Sequence, residues 1–303
     1  MTRYFQAVIA RILLCALAAL PAIALGQASD PQREIRAALE AAQKVQIAGP
    51  SEVKLIDQAV LKLPEGHVYF PAVEAGRLLQ AMGNRTGNDL LGVIFPEKFN
   101  WFIVMRHVKS GYVKDDEARE WNADDLLDSL KQGTEASNQD RRVRNIPEIE
   151  VVGWVESPKY DAATHRLMWS AQSREKGEPD TAERGVNYNT YALGRDGYIS
   201  MNLVTGMNSI EAQKPLARSM LAALEYNPGK RYADFNSSTD RIAEFGLAAL
   251  IGGVAAKKLG LFALIAAFAA KFAKVIGVAV LGLVALVGRL LKRKPQAGVP
   301  PQA

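Results

Sequence analysis

Cysteine is all but missing from the chain. Its 303 residues hold one, Cys15, inside an apolar run near the N-terminus that reads as a cleaved leader. Apolar neighbours on both sides of Cys15 do not suit a lipid-attachment cysteine, and the mature chain then has no thiol. That excludes disulfides, thiolate nucleophiles and cysteine metal sites. Histidine is nearly as scarce: His67, His107 and His165 are the only three, and none has a second ligand at the spacing of H-E-x-x-H. No G-x-S-x-G elbow and no phosphate-cradling glycine loop follows a strand, so nucleophilic catalysis has no evident base. An internal repeat and an alternating βαβ series are absent as well.

Acids are missing from both ends. Residues 1–26 carry Arg3 and Arg11 and no carboxylate, and residues 257–303 carry eight Lys and Arg and no carboxylate. The formal charge of +5 therefore misleads, because the span 27–256 holds 27 bases against all 32 acids, a net of −5. A nucleic-acid surface needs clustered cations on a folded domain. Here the excess cations flank apolar ends, and no nucleic-acid partner is expected.

Those ends are the strongest signal. Arg3 and Arg11, the run Ile12 to Leu25, and the small residues Ala24, Gly26 and Ala28 have the three-part layout of a secretory leader,. The run is too short for a span that needs roughly 20 residues. Near the C-terminus, Val275 to Leu291 is apolar but for Arg289 and closes on Lys292, Arg293 and Lys294. This sits at the lower limit for a spanning helix, with its cations on the cytoplasmic side. Between body and tail, Ile242 to Ala256 and Leu259 to Ala270 are punctuated by Lys257, Lys258, Lys271 and Lys274, which read as snorkelling lysines. Ala248, Gly252 and Ala256 repeat every fourth residue, a spacing that lets helices approach closely in a bilayer. An alanine-rich helix that forms easily gives the same pattern.

Within the body, "DPQREIRAALEAAQKVQIAG" predicts a helix,. "SEVKLIDQAVLKLPEGHVYFP" predicts a hairpin broken at Pro64-Glu65-Gly66,. A helix from Pro71 to Gly83 follows, then strands "GVIFP" and "WFIVMRHV", then a helix "NADDLLDSLKQGTEASNQDRRVR" with its acids early and its arginines late,. "IEVVGWVES", "HRLMWSAQS" and the two arms of "VNYNTYALGRDGYISMNLVT", closed at Arg195-Asp196-Gly197, predict a four-stranded meander,. Val152 and Trp154 share a face in strand periodicity, as do Leu167, Trp169 and Ala171.

The fold class expected is α+β: mixed helices and an antiparallel strand meander in an extracytoplasmic domain, plus a C-terminal transmembrane helix. Its organisation is a signal peptide at 1–26, the domain at 27–240, membrane-associated apolar helices at 241–274, the transmembrane helix at 275–291 and a basic cytoplasmic tail at 292–303. Three short spans are the alternative for the apolar region. The location that follows is the inner membrane, with the bulk of the chain extracytoplasmic.

The segment "GWVESPKYDAATHRLMWS", residues 153–170, packs two tryptophans, a tyrosine, an aspartate and a histidine together. Gly153-Trp154, Pro158, Tyr160-Asp161, Thr164, Leu167 and Trp169 within it resemble the hallmark of the bacterial proteins grouped as domain of unknown function 2167. "GHVYFP" at 66–71, "SGYVKDD" at 110–116, "NYNTYALGRDG" at 187–197 and "GKRYADFNSSTD" at 229–240 extend the resemblance. It implies a membrane-anchored extracytoplasmic domain and brings no activity.

Candidate contact residues are those placed on turns without obvious core duty: Tyr112, Tyr160, Asp161, His165 and Arg195. Turn scaffolding explains each equally well, since Asp161 and Thr164 can satisfy backbone groups across a turn. The acids Asp115, Asp116, Glu117, Asp124, Asp125 and Asp128 lack the spacing and central glycine of a calcium loop. Helix capping accounts for the last three, and no metal or cofactor is expected. The role expected is non-catalytic binding or assembly in the cell envelope, with membrane lipid, an envelope protein or a second copy reached through Ala248, Gly252 and Ala256 as partners. The competing reading pairs Asp161 with Glu156 or Glu148 as the carboxylates of a glycoside hydrolase. It requires Asp161, Glu156 and His165 to converge in a deep cleft.

Overall fold

A computed structural model describes residues 31–252 apart from 99 and 120. The expected leader at 1–26, the expected transmembrane helix at 275–291, the basic tail at 292–303 and residues 253–274 lie outside the described residues. Among the described residues no helix is long and apolar enough to cross a membrane.

Eleven strands and five α-helices are described. In chain order they begin α1 (Pro31–Gln43), β1 (Ile47–Ala48), β2 (Ser51–Leu55), β3 (Ala59–Leu63), β4 (His67–Pro71), α2 (Ala72–Ala81), β5 (Leu90–Pro96) and β6 (Phe102–Val108). They continue α3 (Ala123–Val143), β7 (Ile149–Asp161), β8 (Arg166–Glu175), β9 (Gly185–Gly194), β10 (Gly197–Gly206), α4 (Ile210–Ala222), β11 (Leu224–Tyr226) and α5 (Ala249–Gly252). An eight-stranded sheet runs β1-β4-β5-β6-β10-β9-β8-β7, and a three-stranded sheet runs β11-β3-β2. The pairings within both are antiparallel.

The predicted meander is β7 to β10, and it forms half of the large sheet. Its last turn is Arg195-Asp196, with Gly194 facing Gly197. Gly197 takes φ +127, a conformation that L side chains rarely adopt, and an added Cβ would meet the Val108 carbonyl oxygen at 1.9 Å,.

The sheet buries both faces. On one, Tyr188, Ile199, Met201, Leu203, Ile103 and Met105 pack with the three-stranded sheet and with Ile210, Met220 and Leu221 of α4. On the other, α1 and α2 cover Phe70, Val93, Phe95 and Val104. That same face continues over β7 to β9, where Leu167, Trp169, Ala171 and Tyr191 pack with Leu126 of α3 and with Leu247, Leu250 and Ile251. The sharing of one face by Leu167, Trp169 and Ala171 follows the pleat.

Two expectations need correction. The hairpin turn lies at Ile56-Asp57-Gln58, between β2 and β3, and Pro64-Glu65-Gly66 instead carries the chain from the small sheet into the large one. Residues 241–252, read from sequence as the start of a membrane-associated run, are folded into the domain. Leu247 is fully buried and Ile251 nearly so, while the Ala248 amide donates to Glu117 Oε1 at 2.7 Å. Gly246 makes that contact possible, since a Cβ there would stand 2.4 Å from the same oxygen.

Candidate binding surface

The segment 153–170 divides its residues between the two faces of the sheet. Bulges interrupt the β7–β8 register between Trp154 and Glu156 and again between Glu156 and Lys159. Trp154 lies opposite Ala171 and Glu156 opposite Ser170, so residues two apart on the strand serve opposite faces. Trp154 meets Trp169 edge-on at 5.8 Å and donates its indole N–H to the Ala123 carbonyl at 3.0 Å, tying β7 to the start of α3. Glu156 reaches the other face. Its carboxylate accepts from Arg218 Nη2 at 2.8 and 2.9 Å and from the Tyr188 hydroxyl at 3.2 Å. Burial pushes this carboxyl up, but the bonds and charge of Arg218, the Tyr188 hydroxyl and Lys159 outweigh it, and the net direction is down.

The turn after β7 is built by Asp161. Its Oδ1 accepts from the Ala163 amide at 2.9 Å and its Oδ2 from the Thr164 hydroxyl at 2.7 Å. His165 then takes φ +53, a region in which histidine is enriched among non-glycine residues.

Tyr160 and His165 come together with Tyr112. The Tyr160 hydroxyl donates to Asp115 Oδ2 at 2.7 Å and lies 3.2 Å from His165 Nδ1. His165 packs on Tyr232 at 4.1 Å, and Tyr112 stacks on Tyr232 at 4.3 Å and on Phe235 at 3.9 Å. The Tyr232 hydroxyl donates to the Val113 carbonyl at 2.9 Å. Burial first, then the hydrogen bond and charge of Asp115, hold the Tyr160 phenol far above its usual range. Burial also dominates at Tyr232, followed by its bond with Tyr112 and the Asp115 charge. Both phenols therefore stay protonated and act as fixed donors.

Asp161 and Arg195 do not join this cluster. Asp161 closes its turn. Arg195 grips Asp240 through Nε at 2.6 Å and Nη2 at 2.9 Å, and its amide donates to the Lys230 carbonyl at 3.0 Å. The Arg195 hydrogen bond, followed by the Asn236 amide, holds the Asp240 carboxyl well below the carboxylate range. Arg195 nevertheless flanks the cluster, since residues 229–243 form one wall shared by both. The Tyr112 amide donates to the Arg241 carbonyl at 2.8 Å, and the Ala243 amide donates to the Tyr112 carbonyl at 2.9 Å.

The hydrolase geometry is not assembled. Glu148 is paired with Arg142 at 2.7 Å and with Lys176 at 3.6 Å, Glu156 with Arg218, and Asp161 with its own turn. Glu148 and Asp161 bracket the whole of β7, some 40 Å apart at the extended rise per residue, and Glu156 and Asp161 stand roughly 15 Å apart along the strand. Carboxylates that flank a glycosidic bond lie about 5–9.5 Å apart. Of the other acids, Glu117 holds the start of α5, and Asp124 and Asp125 sit in the first turn of α3 behind the Asn122 cap. Among the described residues no three His, Cys, Asp or Glu side chains gather as metal ligands.

Sequence reasoning did not single out Asp115 as the acceptor for Tyr160, nor Tyr232, Phe235 and Asp240 as partners. The stretch "GKRYADFNSSTD" contains the last three and was the available signal.

The fold defines an α+β protein in which a large antiparallel sheet is covered on one face by helices and on the other by a small sheet and a helix, with motif residues gathered at one end. Comparison then settles the family: the chain belongs to that described as Protein of unknown function (DUF2167), whose model matches residues 47–284. No curated protein matches the chain. Among solved structures, the cyanobacterial PsbP protein CyanoP of Synechocystis sp. PCC 6803 is similar at 8% identity and a TM-score of 0.36, over 60% of this chain and 91% of that one. The Ran-binding protein Mog1p of Saccharomyces cerevisiae is similar at 11% identity and a TM-score of 0.33, over 61% and 98%. Likenesses this distant assign no function.

Proposed function

We propose that the protein is a membrane-tethered, extracytoplasmic module of the bacterial cell envelope, that its role is non-catalytic recognition or assembly, and that its contact surface is the motif-bearing end of the large sheet. One observation carries this reading. Four stretches far apart in sequence meet there: Tyr112 from the first, Tyr160 and His165 from the second, Arg195 from the third, and Tyr232, Phe235 and Asp240 from the fourth. Their aromatic rings, held in place by hydroxyls already bonded to Asp115 and to the Val113 carbonyl, offer a partly buried, preorganised surface, the kind that anchors a partner,. The leader, the apolar run 275–291 and the cations behind it supply the tether in this reading, with lipid around the run and the terminal cations inside the cell.

The partner is an envelope protein or a second copy of the chain. Of the small residues Ala248, Gly252 and Ala256, Gly252 already lies against α3, its carbonyl oxygen 3.2 Å from the position of a Cβ on Gly133. The proposal therefore gives recognition to the outer domain and not to that stripe. Crosslinking and capture from intact membranes test it, with the full chain, a version ending before residue 253 and a His165→Asn variant, which keeps the φ +53 turn and removes the ring, run side by side,. The expected result is one partner shared by the first two and lost from the third. Absence of a specific partner from all three, or loss on truncation alone, overturns it. Protease added to spheroplasts should digest the outer domain and spare the terminal lysines.

A further inference from the structure

Beside the aromatic cluster lies a cleft of about 690 Å³. Five segments build it: the β2–β3 turn with Ile56, the end of β6 with His107 and Lys109, the β9–β10 turn with Arg195, the Gly229-Lys230 turn, and Thr239 to Arg241. Its walls are clamped. Lys230 pairs with Asp57 at 2.6 Å, Lys109 with Asp196 at 3.4 Å and Arg195 with Asp240 at 2.6 Å. Asn227 further pins the β2–β3 turn through its amide to the Gln58 carbonyl and its side chain to the Asp57 carbonyl, both at 2.9 Å. Four cationic side chains and three carboxylates line the cleft; the three ion pairs neutralise all but Arg241, whose Nη2 donates to the Lys109 carbonyl at 3.1 Å, which leaves an excess of one positive charge within a body whose net charge is negative.

Ile56 stands on the rim at φ +50. A β-branched residue in the left-handed region is a steric outlier. Burial does not offset this, because 60% of Ile56 is exposed. Glycine or asparagine would hold the same turn without the strain. An uncompensated strain at the mouth of a cleft is the pattern of a residue placed for contact. His107, on the cleft wall, has its pKa lowered, chiefly by burial. Asp196 and Asp57 oppose the shift, while Lys109 and Lys230 reinforce it. Its ring thus offers a neutral donor and acceptor.

We infer that this cleft binds a small organic anion, a carboxylate or phosphate head bearing a short alkyl group, with the head among Lys109, Arg195, Lys230 and Arg241 and the alkyl group against Ile56. The assignment rests on the reading of this end of the sheet as the contact surface and names the chemistry it takes. Two sources supply such a head: a free small molecule and an anionic lipid.

The test is a titration of the full chain in neutral detergent, followed by NMR signals of the Ile56 methyls and the His107 ring. Butyrate should move both sets saturably. Inorganic phosphate should move His107 with affinity about threefold weaker or less, the difference expected for losing an alkyl contact, and butylamine should move neither. Ile56→Asn should hold or raise Tm while weakening butyrate about threefold. In nanodiscs, saturable shifts with phosphatidylglycerol but not phosphatidylcholine assign the head to a lipid, and shifts with butyrate alone assign it to a free molecule. Equal response to butylamine, undiminished butyrate affinity in Ile56→Asn, or no saturable shift in any arm overturns the inference. Butyrate binding without partner capture from membranes sinks the recognition reading alone. Partner capture without any of these responses sinks the cleft alone.

Discussion

The two ends of the hairpin that residues 153–170 form, the strand pair at Trp154 and Trp169 and the turn at Tyr160 to His165, differ in exposure. At the Trp154 end, Trp169 is 6% exposed and packed on Trp154, Leu126 and Leu250 in a dry cluster. At the His165 end, Tyr160 and His165 are half-buried and their contacts run through oxygen and nitrogen to Asp115. One end fastens β7 and β8 to the layer of α3, and the other presents polar groups held by aromatic stacking. Density of unusual residues in a short span is therefore two devices placed side by side, and in the proposed role only the more exposed one meets a partner.

Truncation separates them. Trp169→Ala empties the dry cluster and should cost about 3–5 kcal/mol, read as a lowered urea midpoint. A loss under 1 kcal/mol would mean that the cluster tolerates collapse and that the contrast is false. Tyr160→Phe removes the bond to Asp115 and should cost about 1–2 kcal/mol, with partner capture reduced more than stability. Equal reduction of both would reassign this end to scaffolding.

The third measurement concerns acid. The folded carboxyl of Glu156 is lowered, so its contribution is present above the unfolded value near 4.3 and is lost as pH falls through the lower folded value. Wild type should exceed Glu156→Gln in stability at pH 7, and the gap should narrow as pH falls below the unfolded value near 4.3. A gap that stays constant on acidification contradicts the ionic lock with Arg218. The smallest effect is expected at Lys62, paired with Glu225 on the surface at 2.7 Å. Lys62→Ala should leave Tm unchanged, because solvent and side-chain entropy cancel such pairs.

Much of the fold was legible because alternation and turn chemistry agreed. β10 alternates buried and half-buried residues through Leu203, β9 is buried on both faces from Tyr188 on, and Arg195-Asp196-Gly197 closes the pair as its glycine requires. The first hairpin was misplaced because its turn carries Ile56, a residue that announces strand, while Pro64-Glu65-Gly66 announces a turn and only changes sheets. Residues 242–252 were misread for a deeper reason: an apolar stretch of this length has the same composition whether protein or lipid covers it. Tyr112, Tyr160 and His165 could be picked as turn residues. Their meeting on Tyr232 and Asp115 depends on β7 bulges and on a segment some 70 residues later, which spacing alone does not reveal.

The short bridge between Tyr112 and Ile242, with Glu117 fastened to Ala248, sets the reach of the domain. Residues 241–252 are taken up by packing inside the domain, so a linker drawn from the charge pattern as starting at 241 counts about 40 Å of extended polypeptide that the fold has already used,. In the proposed role, that shortens the distance between the aromatic cluster and any tether by the same length.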